Sequence, residues 1–133
     1  MERTPLPSKL WTAANVIMLL MFVFSTVVQF NDPDAPVWIA VYAAAAVLSW
    51  LEIRRRTPLW APLTLLVITV LWSGYIGRRV HGIAFFSLFS QWEMKDIHVE
   101  EAREMYGLLI VAVWMAAIAV SSWLRLRRRA VAR

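Results

Sequence analysis

Residues 10–30 read LWTAANVIMLLMFVFSTVVQF, a run of 21 residues without a charged side chain. An α-helix of that length is roughly 31 Å long, which matches the hydrocarbon core of a lipid bilayer. The run is too long for the apolar part of a secretory signal peptide, and Gln29-Phe30 at its end does not resemble a small-residue cleavage site. The sequence therefore predicts a first membrane-spanning helix that is retained.

Three further apolar segments follow, at residues 35–53, 58–77 and 105–124. Hydrophobic residues make up 60% of the 133-residue chain and charged residues 17%, whereas soluble domains average about half and a quarter. We therefore predict an all-α fold, an integral membrane four-helix bundle that forms one membrane domain over residues 1–133.

Helix-start signals precede the second and third segments. Asp32 or Asp34 is expected to cap the second helix, with Pro33 or Pro36 in its first turn, where a missing N–H costs nothing. Thr57-Pro58 gives the same signal before the third helix. These signals predict that the second and third helices begin immediately after the 1–2 and 2–3 connections.

The basic residues are unequally divided between the two ends of the predicted bundle. Ten lie in the two tails and the 2–3 connection, and four lie in the other two connections. The positive-inside rule therefore predicts cytoplasmic N and C termini, and we expect a bacterial cytoplasmic membrane. Because the basic residues flank apolar runs, they do not form a nucleic-acid surface, and we predict no nucleic-acid partner.

Two groups of arginines are candidate sites for membrane lipid headgroups, since a basic residue beside a membrane attracts anionic lipid. They are Arg78 and Arg79 after the third segment, and Arg125, Arg127, Arg128 and Arg129 after the fourth. The alternative for the tail is that it only fixes topology. The alternative for the 3–4 connection is that its basic residues pair with the acidic 1–2 turn.

The 3–4 connection contains an amphipathic pattern. Phe85, Phe89 and Trp92 recur at i, i+4 and i+7, the spacing of one helical face. Aromatic residues on one side of a short helix favour the plane of the membrane interface. We predict a short interfacial helix over residues 81–92.

A metal site is one hypothesis for the same connection. His98 and Glu101 are three residues apart and would share a helix face as two ligands, with His81 and Asp32 able to complete the set. The alternative is a solvated first turn whose carboxylates match the helix dipole. The chain contains no cysteine, and no ionisable residue lies in the centre of a span, so we predict neither a cofactor nor a proton relay inside the bundle.

Two short motifs resemble those of the transmembrane protein 220 family. The first is Gln29-Phe30-Asn31-Asp32-Pro33-Asp34 followed by Trp38 and Tyr42, and the second is Glu101-Ala102-Arg103-Glu104-Met105-Tyr106-Gly107-Leu108-Leu109. The resemblance covers roughly residues 10 to 124 and implies a small multi-span membrane protein, without an established activity to carry over. It singles out as functional candidates Asn31, Asp32, Pro33, Asp34, Trp38, Tyr42, Arg103, Glu104 and Gly107.

Three functions are consistent with these observations. We favour a non-catalytic accessory subunit that stabilises a larger membrane complex with other integral membrane subunits, such as a respiratory or photosynthetic assembly. The first alternative is a membrane-surface enzyme or ligand-binding protein that uses the acidic and histidine-containing face. The second alternative is a small-solute transporter. An enzyme is the less favoured interpretation because the spans contain no catalytic set.

Overall fold

The structure is a computed structural model that describes residues 6–31, 34–78 and 97–133, with the side chains of 6–8 and 97–102 excluded. Its four α-helices are α1 (Leu6–Val28), α2 (Ala35–Ile53), α3 (Trp60–Gly77) and α4 (Ile97–Val131), and a 3-10 helix (Gln29–Asn31) ends α1. Each contains a segment long and apolar enough to cross a membrane. The predicted all-α membrane bundle is confirmed.

The helix bounds differ from the predicted spans mainly where the helices continue beyond the apolar runs. The second helix has the predicted bounds, and the third begins two residues later than expected, at Trp60. The first helix begins at Leu6 and the fourth extends over Ile97–Val131. The reason is that hydropathy marks the embedded part of a helix, whereas backbone hydrogen bonds continue into polar sequence. The interfacial helix expected at 81–92 lies outside the described residues.

The cap predicted for α3 is wrong, and the cap predicted for α2 is observed only in its position. Asp34 occupies the N-cap position of α2 but makes no side-chain capping hydrogen bond, while Pro36 does lie in the first turn. The N-cap of α3 is Leu59. Thr57 instead connects two elements, because its carbonyl oxygen accepts a hydrogen bond of 2.9 Å from the Ser122 hydroxyl of α4.

The helices pack as two pairs, α1 with α2 and α3 with α4, and α2 also contacts α3 and α4. The core is a set of apolar stripes that recur at intervals of three and four residues, the spacing of one helical face. The stripe on α4 is Leu108, Val111, Met115 and Ile118, and that on α2 is Trp38, Val41, Ala45 and Leu48.

Small and hydroxyl-bearing residues lie at the close contacts. Ala112 and Ala119 of α4 and Ser73 of α3 are buried, and a Cβ atom at Gly77 would lie 3.3 Å from the Met105 sulfur. Helices in lipid associate through such close packing rather than through the hydrophobic effect. Small residues of α3 and α4 therefore allow these helices to approach closely.

The outward faces of the bundle are apolar. Phe24, Leu71 and Val113 are each about 70% exposed, which water would not tolerate over so large a continuous surface. In contrast, the buried hydroxyls of Ser49 and Thr69 bond to carbonyl oxygens one turn earlier in their own helices. This distribution, with these hydroxyls bonded to backbone inside and apolar groups outside, is typical of a lipid-embedded bundle.

Candidate functional site

A pocket opens at the end of the bundle where α2 begins, α3 ends and α4 enters the core. We call this the acidic end, and the pocket the acidic pocket. It has a volume of about 250 Å³ and is lined mainly by Asp34 and Trp38 of α2, Trp72 and Tyr75 of α3, and Glu104 of α4. Because α3 runs antiparallel to both α2 and α4, residues distant in sequence meet there. The pocket therefore combines two carboxylates with three aromatic rings.

The aromatic wall of the acidic pocket is built on a stacked tryptophan pair. The Trp38 and Trp72 rings lie 4.8 Å apart with an interplanar angle of 23°, an arrangement that aromatic quadrupoles favour when the rings are offset. Trp38 is only 4% exposed, whereas Tyr75 is 55% exposed. The wall thus has a buried inner part at Trp38 and an exposed outer part at Tyr75.

The two sequence motifs meet directly beneath this pocket. Tyr42 lies one turn after Trp38 on α2, and the two rings are stacked at 6.3 Å. The Tyr42 hydroxyl occupies the space where a Cβ atom of residue 107 would lie, so it packs directly against Gly107 of α4. The motif at the start of α2 and the motif before the core of α4 therefore form one continuous structure.

Comparison with known proteins gives one family match that includes both motifs. The sequence profile described as "Transmembrane family 220, helix" matches residues 21–120. The chain belongs to this family. The match covers α2, α3 and most of the embedded part of α4, so it includes both motifs of the acidic end, and the resemblance expected from the sequence is confirmed.

A relative of the family is similar to most of this chain. Transmembrane protein 220 of Xenopus laevis is 36% identical over 112 residues, which cover 80% of this chain and 57% of the relative. The chain thus spans a little over half the length of that relative. Because the relative comes from a frog, it does not support the bacterial membrane expected above, which stays a prediction. No solved structure matches the chain.

The remaining family-motif residues are distributed around the pocket. Asn31 is exposed at the end of the 3-10 helix, and Arg103 is exposed one residue before Glu104. Asp32 and Pro33 lie outside the described residues. The acidic pocket therefore brings together Asp34, Trp38 and Glu104 of the predicted set, and adds Trp72 and Tyr75, which the motifs do not contain.

The metal hypothesis concerns residues that the structure does not describe in full. His81 lies outside the described residues, as does Arg79 of the lipid prediction, and the side chains of His98 and Glu101 are also excluded. Within the part of the chain whose side chains are described, no three histidine or acidic residues are grouped as metal ligands. The metal site stays a prediction.

A second polar cluster lies at the opposite end of the bundle, where α2 ends, α3 begins and α4 leaves the core. We call this the basic end. Glu52 is 2% exposed and accepts two hydrogen bonds from the Arg125 guanidinium, Nη1 to Oε1 and Nη2 to Oε2, the latter of 2.9 Å. Oε1 also accepts from the Ser121 hydroxyl and, at 2.9 Å, from the Trp11 indole N–H. The cluster joins α1, α2 and α4.

The chemistry of this second cluster is structural. Both carboxylate oxygens of Glu52 accept hydrogen bonds from donors of the protein itself, so they offer little capacity to a substrate. Sequence reasoning missed it. The available signal was a glutamate in the last turn of an apolar span, together with a serine and an arginine four residues apart near the end of another.

Proposed function

We propose that this protein is a membrane-embedded binding protein for a small organic cation, which it recognises in the acidic pocket. The observation that supports this proposal is the lining of that pocket, where the Asp34 and Glu104 carboxylates adjoin the rings of Trp38, Trp72 and Tyr75. Aromatic faces attract alkylammonium groups through their quadrupoles, most strongly when the cation is desolvated. Carboxylates beside them supply the opposite charge.

The size and position of the acidic pocket restrict the ligand. Its volume of about 250 Å³ is below the about 300–1,000 Å³ of pockets for drug-sized molecules, so the ligand or the part of it that enters is small. The exposed Asp34 and Tyr75 lie at the mouth. The ammonium group therefore enters from the water or headgroup layer, either as a free amine or as the headgroup of a zwitterionic lipid.

A ligand titration tests this proposal. The full chain is purified in an uncharged maltoside detergent and titrated with choline or tetramethylammonium, with sodium at equal ionic strength as the reference. Since Trp38 and Trp72 line the site, saturable quenching or a spectral shift of tryptophan fluorescence is the expected signal. A response to the free amines supports a soluble ligand, and a response only to short-chain phosphatidylcholine supports a lipid headgroup.

Matched variants make the test specific. Tyr75→Leu and Glu104→Gln each remove one lining group. We expect Tyr75→Leu to weaken binding about 2- to 30-fold, given about 0.5–2 kcal/mol per cation–π contact, and Glu104→Gln to weaken it through the loss of a negative charge. Trp60→Leu is the control, because Trp60 is an aromatic residue 70% exposed at the basic end. Equal affinities in all four proteins, or no saturable signal from any ammonium compound, would contradict the proposal.

A second candidate is the accessory subunit favoured from the sequence, and α1 supports it. Among the described side chains of α1, only Asn15 and Phe22 are buried, and α1 packs mainly against α2, with a ring contact from Trp11 to Trp114 of α4. Much of its surface is thus left for lipid or for a helix of a partner protein. Purification of the tagged protein from its native membrane in mild detergent tests this idea: stoichiometric membrane partners would support it, and a monomer alone would contradict it.

The orientation in the membrane is part of the same proposal. The basic end carries Arg54, Arg55 and Arg56 as well as the arginines of the C-terminal tail, and the positive-inside rule assigns such an end to the cytoplasm. The acidic pocket then faces the opposite compartment. Protease accessibility of a C-terminal tag in sealed vesicles measures this directly.

A further inference from the structure

We propose that the C-terminal face of α4 at the basic end binds the phosphate of an anionic phospholipid through Arg127 and Arg128. A shallow groove of about 410 Å³ is lined there by Leu124, Arg127, Arg128, Val131 and Ala132. Positions 124, 127, 128 and 131 recur at the spacing of one helical face. The face is therefore both apolar and doubly cationic.

The depth of the groove matches the phosphate layer. Trp50, Trp60 and Trp123 are 47–70% exposed at the basic end, and exposed tryptophans of a membrane bundle mark the boundary between acyl chains and headgroups. Arg127 and Arg128 follow Trp123 on the same helix by four and five residues, or roughly 6–8 Å along the axis. The guanidinium groups therefore reach the level where lipid phosphates lie.

The Arg127 side chain is positioned rather than freely moving. Its guanidinium carbon lies 5.4 Å from the centre of the Trp123 ring, within the range of a cation–π contact. Arg54 repeats the arrangement on α2, 5.9 Å from the centre of the Trp50 ring. A guanidinium held against an interfacial ring loses less freedom on binding, and its planar donor fork fits phosphate oxygens in pairs.

Charge complementarity at the basic end favours an external anion. In the part of the chain that the structure describes, Glu52 is the acidic residue of the basic end, and it is bound to Arg125. Among the side chains that the structure describes, the arginines of the tail beyond Arg125 thus have no carboxylate of this end to neutralise them. A phospholipid is the partner that fits, because the groove also presents Leu124 and Val131, which are 40% and 82% exposed.

A lipid-association experiment with matched variants tests the proposal. The full chain is placed in phosphatidylcholine nanodiscs that contain spin-labelled phosphatidylglycerol or spin-labelled phosphatidylcholine, and the immobilised fraction of each label gives the relative association constants. Each phosphate contact of a basic residue corresponds to about fivefold in association. We therefore expect the wild-type preference for phosphatidylglycerol to fall about tenfold or more in Arg127→Gln/Arg128→Gln.

The control removes the same charge from the same tail. Arg129→Gln/Arg133→Gln lies outside the groove lining and should retain most of the preference, with at most a twofold loss. Equal losses in the two double variants would show a diffuse charge effect and overturn the site. Displacement of the labelled lipid by millimolar inorganic phosphate would show a site for a soluble anion and would also overturn it. All four substituted arginines are exposed, so the bundle is expected to fold in both variants.

Discussion

The hydroxyl of Tyr42 on α2 fills the space in which a side chain at Gly107 of α4 would begin. A Cβ atom built at position 107 overlaps the Tyr42 Oη atom, whereas the next atom of the ring, Cζ, is at an ordinary contact distance of 3.7 Å. Gly107 is therefore required by a single oxygen atom of the neighbouring helix. This contact fixes the separation of α2 and α4 just below the acidic pocket.

Gly107→Ala is expected to destabilise the bundle by about 1–3 kcal/mol, the usual cost of inserting a methyl group into a packed core. Tyr42→Phe removes the overlapping oxygen and should rescue most of that loss. The free energy of unfolding in mixed micelles, measured for the two single variants and the double variant, gives the coupling between the sites.

The control for that cycle is Gly74→Ala, because a Cβ atom at position 74 meets nothing within 4 Å. It should leave stability unchanged or raise it slightly, since alanine favours helix over glycine. Additive effects of Gly107→Ala and Tyr42→Phe would contradict the contact.

Arg125→Leu is expected to be among the most destabilising substitutions in the chain. It leaves the Glu52 carboxylate in a site where 2% of the residue is exposed, and the loss of one partner of a buried ion pair costs about 3–5 kcal/mol. Thermal denaturation followed by circular dichroism in detergent would show a large fall in Tm.

The paired variant separates charge from packing. Glu52→Leu combined with Arg125→Leu removes both charges and should recover a substantial part of the lost stability, although the donors of Trp11 and Ser121 then lack their acceptor. If the double variant is less stable than Arg125→Leu alone, the ion pair is not the source of the effect. Arg127→Leu is the matched control outside the cluster.

Arg55→Gly is expected to stabilise the turn between α2 and α3 by up to about 1–2 kcal/mol. Arg55 has a φ of 55°, a left-handed conformation that costs an L-residue with a Cβ atom roughly that amount. Glycine adopts it freely. The neighbouring Arg56→Gly serves as the control for charge, and an increase of Tm in that variant but not in Arg55→Gly would contradict the argument.

Ser49→Ala is expected to lower stability only slightly, by about 0.6 kcal/mol, the average for hydrogen bonds between membrane helices. The Ser49 Oγ atom accepts a hydrogen bond of 3.2 Å from the Trp114 indole and donates one to its own helix. Thr64→Ala is the control, because Thr64 makes only the second type of bond at an exposed position. The change of Tm from wild type is measured for each variant, and the difference between the two changes gives the contribution of the bond between the helices.

The fold was predictable from the sequence because each span carries its own signal. Hydropathy over about 20 residues identifies a membrane helix without knowledge of its neighbours, and Pro36 helps to set the start of α2. The full length of α4 was not predictable in this way. Its residues before Arg103 and after Leu124 mix charged and apolar side chains, so hydropathy does not mark where the helix begins or ends.

The candidate site was only half predictable, for a reason that lies in the packing. Asp34, Trp38 and Glu104 stood out through local motifs, but Trp72 and Tyr75 join them only because α3 lies against the other two helices. Glu52 illustrates the same limit more strongly. Its partners Trp11 and Arg125 are 41 and 73 residues away, and no local pattern connects a carboxylate to donors on two other helices.

The lengths of α2 and α3 also determine the bilayer thickness that matches this protein. The 19 residues of α2 and 18 of α3 measure roughly 28 and 27 Å, close to the about 27 Å hydrocarbon layer of the endoplasmic reticulum and below the about 32–33 Å of a sterol-rich plasma membrane. Tilting can shorten the span of a helix but cannot lengthen it. A thick bilayer would therefore have to thin around α3, which costs free energy for every ångström of mismatch. A thin bilayer matches the length of the helix without that cost.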